Sequence, residues 1–142
     1  MHAAQETDTR QNDQVDGGAS ERLLRNTLRV NALSSASTGL FGLVFAGTAG
    51  DLIGVDQEWL IRVIGGGLVL FAAAVLLLSR ADRPTLIAGT PGISLGDFGW
   101  VVASAVVIGL GWLSTRGAVI MGLIAAGVFG FGLVQTLARR RL

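Results

Sequence analysis

Asn31, Ser34, Ser35 and Thr38 recur at helical spacing and share one face of an otherwise apolar stretch. Asp97 and Gln135 fall at about the depth of Asn31 in two other apolar stretches, so the six residues make a candidate polar pocket. Amides, hydroxyls and a carboxylate set among apolar helices are suited to hydrogen bonding a small solute, or to handling a proton or a cation. A plainer role competes with that one, because a polar side chain surrounded by lipid needs a partner and finds it on a neighbouring helix. Ser94-x-x-Asp97 also has the spacing of a capping box, which predicts a helix start there with the carboxylate on the positive end of the dipole. Arg62 follows Glu58 by four residues, the favourable order for a helical ion pair.

Other chemistry is absent by residue type. The 142 residues include no cysteine and one histidine, His2, so thiolate zinc sites, iron–sulfur clusters and cysteine nucleophiles are excluded. The triple glycine at 65–67 is embedded in an apolar run instead of following a strand, so it is no phosphate loop. No acid pair and no Ser/His/Asp set can be assembled, and the expectation is a non-enzymatic chain with no cofactor, metal or catalytic residue. The net charge of +1 supplies no basic field for nucleic acid.

The elements that position these residues are set by composition. Hydrophobic residues make up 51% of the chain and charged residues 15%, with a mean hydropathy of +0.60, well away from the roughly 25% charge of soluble domains. Residues 1–22 are polar and aperiodic and predict a disordered cytoplasmic tail without the pattern of a signal peptide. Residues 23–142 hold four apolar stretches, at about 28–50, 59–79, 96–113 and 117–138. A bilayer core of about 30 Å takes roughly 20 helical residues, so each stretch reads as a transmembrane helix. The predicted fold is all-α: a four-helix transmembrane bundle of two antiparallel hairpins.

Arginine supplies all 11 basic residues. Nine of them (Arg10, Arg22, Arg25, Arg29, Arg80, Arg83 and Arg139 to Arg141) fall on one side of the four stretches, while Arg62 and Arg116 fall on the other. The positive-inside bias then predicts both termini in the cytoplasm, and an Ala-, Gly- and Arg-rich composition without lysine suits a bacterial plasma membrane.

Helices in lipid associate through small residues that let backbones approach. Gly39, Gly66, Ala103 and the ridge Gly122, Ala126 and Gly130 are the expected packing positions. They serve packing within the bundle, or an outward contact with a second copy or another membrane protein.

The run Leu28-Arg-Val-Asn-Ala-Leu33 with Ser35-x-x-x-Gly39-Leu40, followed by Trp59-Leu-Ile-Arg-Val-Ile-Gly-Gly-Gly-Leu68 and Phe71, resembles a class of small uncharacterised bacterial four-helix integral membrane proteins. The resemblance covers mainly the first two helices and implies a fold and a location, not a mechanism. In size the chain is also similar to four-helix multidrug transporters, which exchange protons for cationic drugs at a glutamate embedded in helix one. Here the first stretch has no carboxylate, and none is expected deep in any span. The leading expectation is therefore a structural, accessory or assembly component in the bilayer. The alternative is a small transporter or permease using the polar face of helix one.

Overall fold

The computed structural model describes the backbone of residues 2–142 and the side chains of residues 16–142. The described residues form five helices: α1 (His2–Val44), α2 (Ala46–Ile53), α3 (Glu58–Arg80), α4 (Arg83–Gly109) and α5 (Thr115–Arg139). It is all-helical as expected, but with five helices instead of four. Helices α3, α4 and α5 are long and apolar enough to cross a membrane, and α1 with α2 meets the same test only when the bent pair is taken together. Residues 16–22, expected in the tail, are helical, and Glu21 there ion-pairs with Arg25 at 2.8 Å. The rest of that expectation, residues 1–15, lies outside the described side chains.

The outward faces are apolar. Leu33, Leu70, Leu95 and Leu123, one from each long helix, are 69–74% exposed, a surface that water would penalise and lipid would not. Two antiparallel pairs, α1 with α3 and α4 with α5, are packed so that α1 also meets α5 and α3 meets α4.

The α1–α3 pair is held by backbone approach. A Cβ on Gly39 would lie 2.6 Å from the carbonyl oxygen of Gly65, and one on Gly65 would lie 2.7 Å from that of Gly39. Only glycine fits at this crossing. The predicted packing set is otherwise corrected. Gly66 meets only the tip of Leu43 at 3.9 Å, Ala103 and Ala126 are exposed, and nothing lies within 4 Å of a Cβ on Gly122 or Gly130. The i, i+4 ridge of α5 faces away from the bundle. Packing instead uses Gly89 against Leu78, Gly96 against Phe71 and Gly132 against Phe98, where a bulky side chain of one helix fills the notch left by another's glycine.

Helix α4 begins 13 residues before the expected 96. Segment 83–96 contains Pro84, Gly89, Pro91, Gly92 and Gly96, which read as breakers in water. Pro84 lies in the first turn, where its missing N–H costs nothing. Pro91 is interior and leaves the carbonyl of Ile87 without its helical donor; Arg139 Nε of α5 donates to that oxygen at 2.9 Å. Neighbouring helices restore freed backbone groups in this way in apolar surroundings, so the helix runs through. The α4–α5 connection correspondingly moves from 114–117 to residues 110–114, with Gly111 at φ 69° making the turn and the Ser114 hydroxyl accepting from Gly117 N–H at 3.1 Å.

A sharp bend separates α1 from α2, 103° at Phe45. The bend frees the carbonyl of Leu43, and Arg62 donates to it at 3.2 Å while pairing with Glu58. Helix α2 then crosses the end of the bundle. Its last carbonyl, Ile53, accepts from Ser114 N–H at 2.9 Å and lies against Gly117 with no room for a Cβ.

At the opposite end, Arg25 donates to the carbonyls of Ser79 and Ala81 at 3.0 and 2.7 Å, capping the C-terminus of α3. Beneath this end lies the apolar core: Leu24 and Leu28 of α1, Val75 of α3, Leu86 of α4 and Ala138 of α5, all 0–2% exposed, with Ala32 beside them.

Candidate functional site

Above that core the bundle changes character. Asp97, expected at a helix start, is an interior residue of α4, more than three turns from Arg83. The capping-box reading of Ser94-x-x-Asp97 is therefore overturned, and so is the expectation that no carboxylate lies deep in a span. The physical reason is the early start of α4: three-residue spacing now places Ser94 and Asp97 on one inward face.

Three helices converge on the Asp97 carboxylate. Asn31 Nδ2 of α1 donates to both of its oxygens, at 3.0 Å to Oδ1 and 2.8 Å to Oδ2. Gln135 Nε2 of α5 donates to Oδ2 at 3.0 Å. A hydroxyl fixes each amide from the far side. Ser35 Oγ donates to Asn31 Oδ1 and Ser94 Oγ to Gln135 Oε1, both at 3.3 Å. The amide orientations follow from this, since an ionised carboxylate only accepts and must face the NH2 ends. Asn31 and Gln135 are fully buried and Asp97 is 2% exposed. Among the described residues no buried side-chain nitrogen or oxygen lacks a partner.

What the cluster lacks is a positive charge. The ion pairs among the described residues join Arg25 and Arg83 to Glu21, and Arg62 to Glu58, and no basic side chain pairs with Asp97. A buried carboxylate is costly without a counter-charge. A carboxylate offers about four acceptor positions. Three of the hydrogen-bonding positions here are taken, which leaves acceptor capacity on Oδ1.

Asp97 lines a cavity of about 330 Å³ in the middle of the bundle, with Ser34, Ser35 and Thr38 on the α1 side and Phe71 and Trp100 across from them. Most of the lining is apolar, with few polar groups, the usual make-up of a small-molecule site.

The polar face of α1 thus divides. Asn31 and Ser35 belong to the cluster; Ser34 and Thr38 edge the cavity without bonding to it. Asp97 and Gln135 join Asn31 as one unit. Ser94 was read from the sequence only as half of a capping box, and Phe71 and Trp100 were not among the expected site residues. Ser94 would have been found by treating residues 83–96 as helix, whereas the two aromatics carry no local signal. Thr90 and Ser104, also buried, bond the carbonyls one turn back on α4 and serve the helix itself. The described residues contain no cluster of three metal-ligating acidic, His or Cys side chains. No protein-family model, curated protein or solved structure matches the chain.

Proposed function

We propose that the chain is a small multi-pass transporter of the bacterial plasma membrane that holds an organic cation in the cavity beside Asp97. It is read as non-enzymatic. The observation that carries this reading is a buried carboxylate, held only by neutral amides and with spare acceptor capacity, in the wall of a cavity that Phe71 and Trp100 also line. A cation with an apolar body satisfies both halves of that environment: its charge replaces the missing partner, and the aromatic side chains of Phe71 and Trp100 in the wall suit its apolar body. The arginine-rich end, with Arg25, Arg80, Arg83 and Arg139 to Arg141, supports a cytoplasmic location for both termini. On this reading α1 and α2 together count as the fourth span.

The test is calorimetric titration of the purified protein in detergent with tetraphenylphosphonium. Wild type is expected to bind it and Asp97→Asn, with an unchanged circular dichroism spectrum, is expected to lose binding. Equal binding by the two proteins refutes the site.

A second reading, an accessory component that packs with itself or with other membrane proteins, is favoured by the ridge Gly122, Ala126 and Gly130: among the described residues nothing lies within 4 Å of a Cβ on either glycine, and Ala126 is exposed. Native mass spectrometry from membranes separates the two, because a strict monomer without partners removes the accessory reading.

A further inference from the structure

The cavity at Asp97 is one of three that run together. A second, of about 180 Å³, lies between Thr38 and Gly42 of α1 and Leu52 and Ile53 of α2. A third, of about 580 Å³, reaches Gly54, Asp56 and Gln57 in the α2–α3 loop and Trp112 after α4. Ile64 and Trp100 line all three. The spaces therefore adjoin around these two side chains, and together they extend from Asp97 to the end of the bundle that carries α2. In the other direction there is no such passage. Leu24, Leu28, Val75, Leu86 and Ala138, contributed by all four long helices and 0–2% exposed, close the bundle between Asp97 and the arginines. Phe71 both walls the cavity and packs onto this layer, so the seal begins where the cavity ends.

We infer that Asp97 is reached from the α2 end alone, past a constriction formed by Ile64 and Trp100, while the five-residue apolar layer seals it from the arginine end. The structure is then a one-sided state of the carrier, open away from the arginines. This rests on the transporter reading for its meaning, but the access itself is a property of the bundle. The asymmetry has a physical cause in the helix ends. At the arginine end Arg25 ties α1 to α3 and Arg139 ties α5 to α4. At the other end the 103° bend carries α2 across the opening, and its buried residues are small: Ala46, Ala49 and Gly50. Small side chains fill less of the space between the long helices.

The chain has no cysteine, so single cysteines report access directly. Thr38→Cys lies at the constriction, on the walls of both the Asp97 cavity and the second one, and Ser104→Cys before it on the wall of the third. Ala32→Cys and Ala138→Cys sit in the sealed layer with little change in volume. Gln57→Cys and Arg141→Cys, both exposed, mark the two ends. Each full-length variant, in intact cells and in inverted vesicles, is treated with a membrane-impermeant methanethiosulfonate, and modification is read as a mass shift.

The expected result is that Ser104→Cys and Thr38→Cys react on whichever side labels Gln57→Cys, and on that side only. Ala32→Cys and Ala138→Cys are expected to stay unmodified from both sides. Trp100→Ala is expected to speed modification of Thr38→Cys while leaving Ser104→Cys unchanged. Modification of Thr38→Cys from the Arg141 side, or none where Gln57→Cys reacts, overturns the inference. Failure of the cytoplasmic assignment shows separately, as labelling of Arg141→Cys in intact cells. Loss of tetraphenylphosphonium binding would leave the access result standing.

Discussion

Deleting Asn31 tests whether the cluster is an energetic unit or only a set of short distances. Asn31→Ala removes the only donor to Asp97 Oδ1 and one of the two to Oδ2, leaving Gln135 Nε2 at 3.0 Å. It also strips Ser35 Oγ of its acceptor. Hydrogen bonds to charged groups contribute about 1.5–3 kcal/mol in soluble proteins. Interhelical bonds in membranes average only about 0.6 and reach about 1.7 kcal/mol, because the unfolded chain in lipid also finds partners. A bifurcated donor to a fully buried acceptor belongs near the top of that second range, so the expected loss is about 1.5 kcal/mol.

Asp97→Leu alone removes the acceptor and orphans the amides of both Asn31 and Gln135. Combining it with Asn31→Ala removes one of those orphans as well. The double variant is therefore expected to be more stable than the sum of the single changes by about 1 kcal/mol, a coupling typical of residues in one network. Reversible unfolding in mixed micelles titrated with dodecyl sulfate, followed by circular dichroism, measures all four corners of the cycle. Additivity to within about 0.5 kcal/mol, the value for independent sites, refutes the claim that Asn31 and Asp97 act together.

Gly39→Ala and Gly65→Ala, each of which drives a Cβ into backbone at 2.6–2.7 Å, are expected to cost about 1–3 kcal/mol in the same unfolding assay. Gly122→Ala, with open space around it, is expected to be neutral or to stabilise by about 0.5–1 kcal/mol through helix propensity. Arg139→Ala is expected to destabilise the protein by about 1–2 kcal/mol and to do so much less in a Pro91→Ala background, where a backbone N–H returns to Ile87; an unchanged cost would disconnect the two residues. Arg25→Lys, which has a single ammonium in place of the guanidinium that spans Ser79, Ala81 and Glu21, is expected to lower the unfolding midpoint, and a wild-type midpoint would remove Arg25 as the cap of α3.

Depth along the apolar stretches was enough to align Asn31, Asp97 and Gln135, because three helices of similar length that cross one slab carry residues of equal depth to the same level. The same reasoning placed Asp97 at the wrong point of its helix. Gly89, Pro91 and Gly96 have the local chemistry of a loop, and each is reconciled with helix only by another helix: Leu78 and Phe71 enter the glycine notches, and Arg139 replaces the donor lost at Pro91. No local pattern contains that information. The bend at Phe45 was hidden for a similar reason, since the carbonyl it frees is met by Arg62, 19 residues away.

The glycines show how regularity misleads. The i, i+4 ridge of α5 is a regular small-residue pattern whose glycines, Gly122 and Gly130, admit a Cβ freely among the described residues, whereas the contact that sets the α1–α3 crossing uses Gly39 and Gly65, one from each helix.

These attachments also separate binding from access. The polar cluster joins α1, α4 and α5, and α3 contributes no group to it. Helix α3 supplies walls instead: Ile64, Leu68 and Phe71 of the cavity, and Ile64 of the constriction. It is fastened to α1 by the glycine crossing and by Arg25, but meets α4 through side chains alone: Leu78 and Phe71 in the glycine notches, and Val75 in the layer it shares with Leu86. Parting of α3 from α4 would widen the cavities while every hydrogen bond to Asp97 stayed intact. The reverse change, opening toward the arginines, must part the Leu24, Leu28, Val75, Leu86 and Ala138 layer and strain the bonds of Arg25 and Arg139. The two directions therefore differ in what they break, because no hydrogen bond to Asp97 crosses the α3–α4 seam.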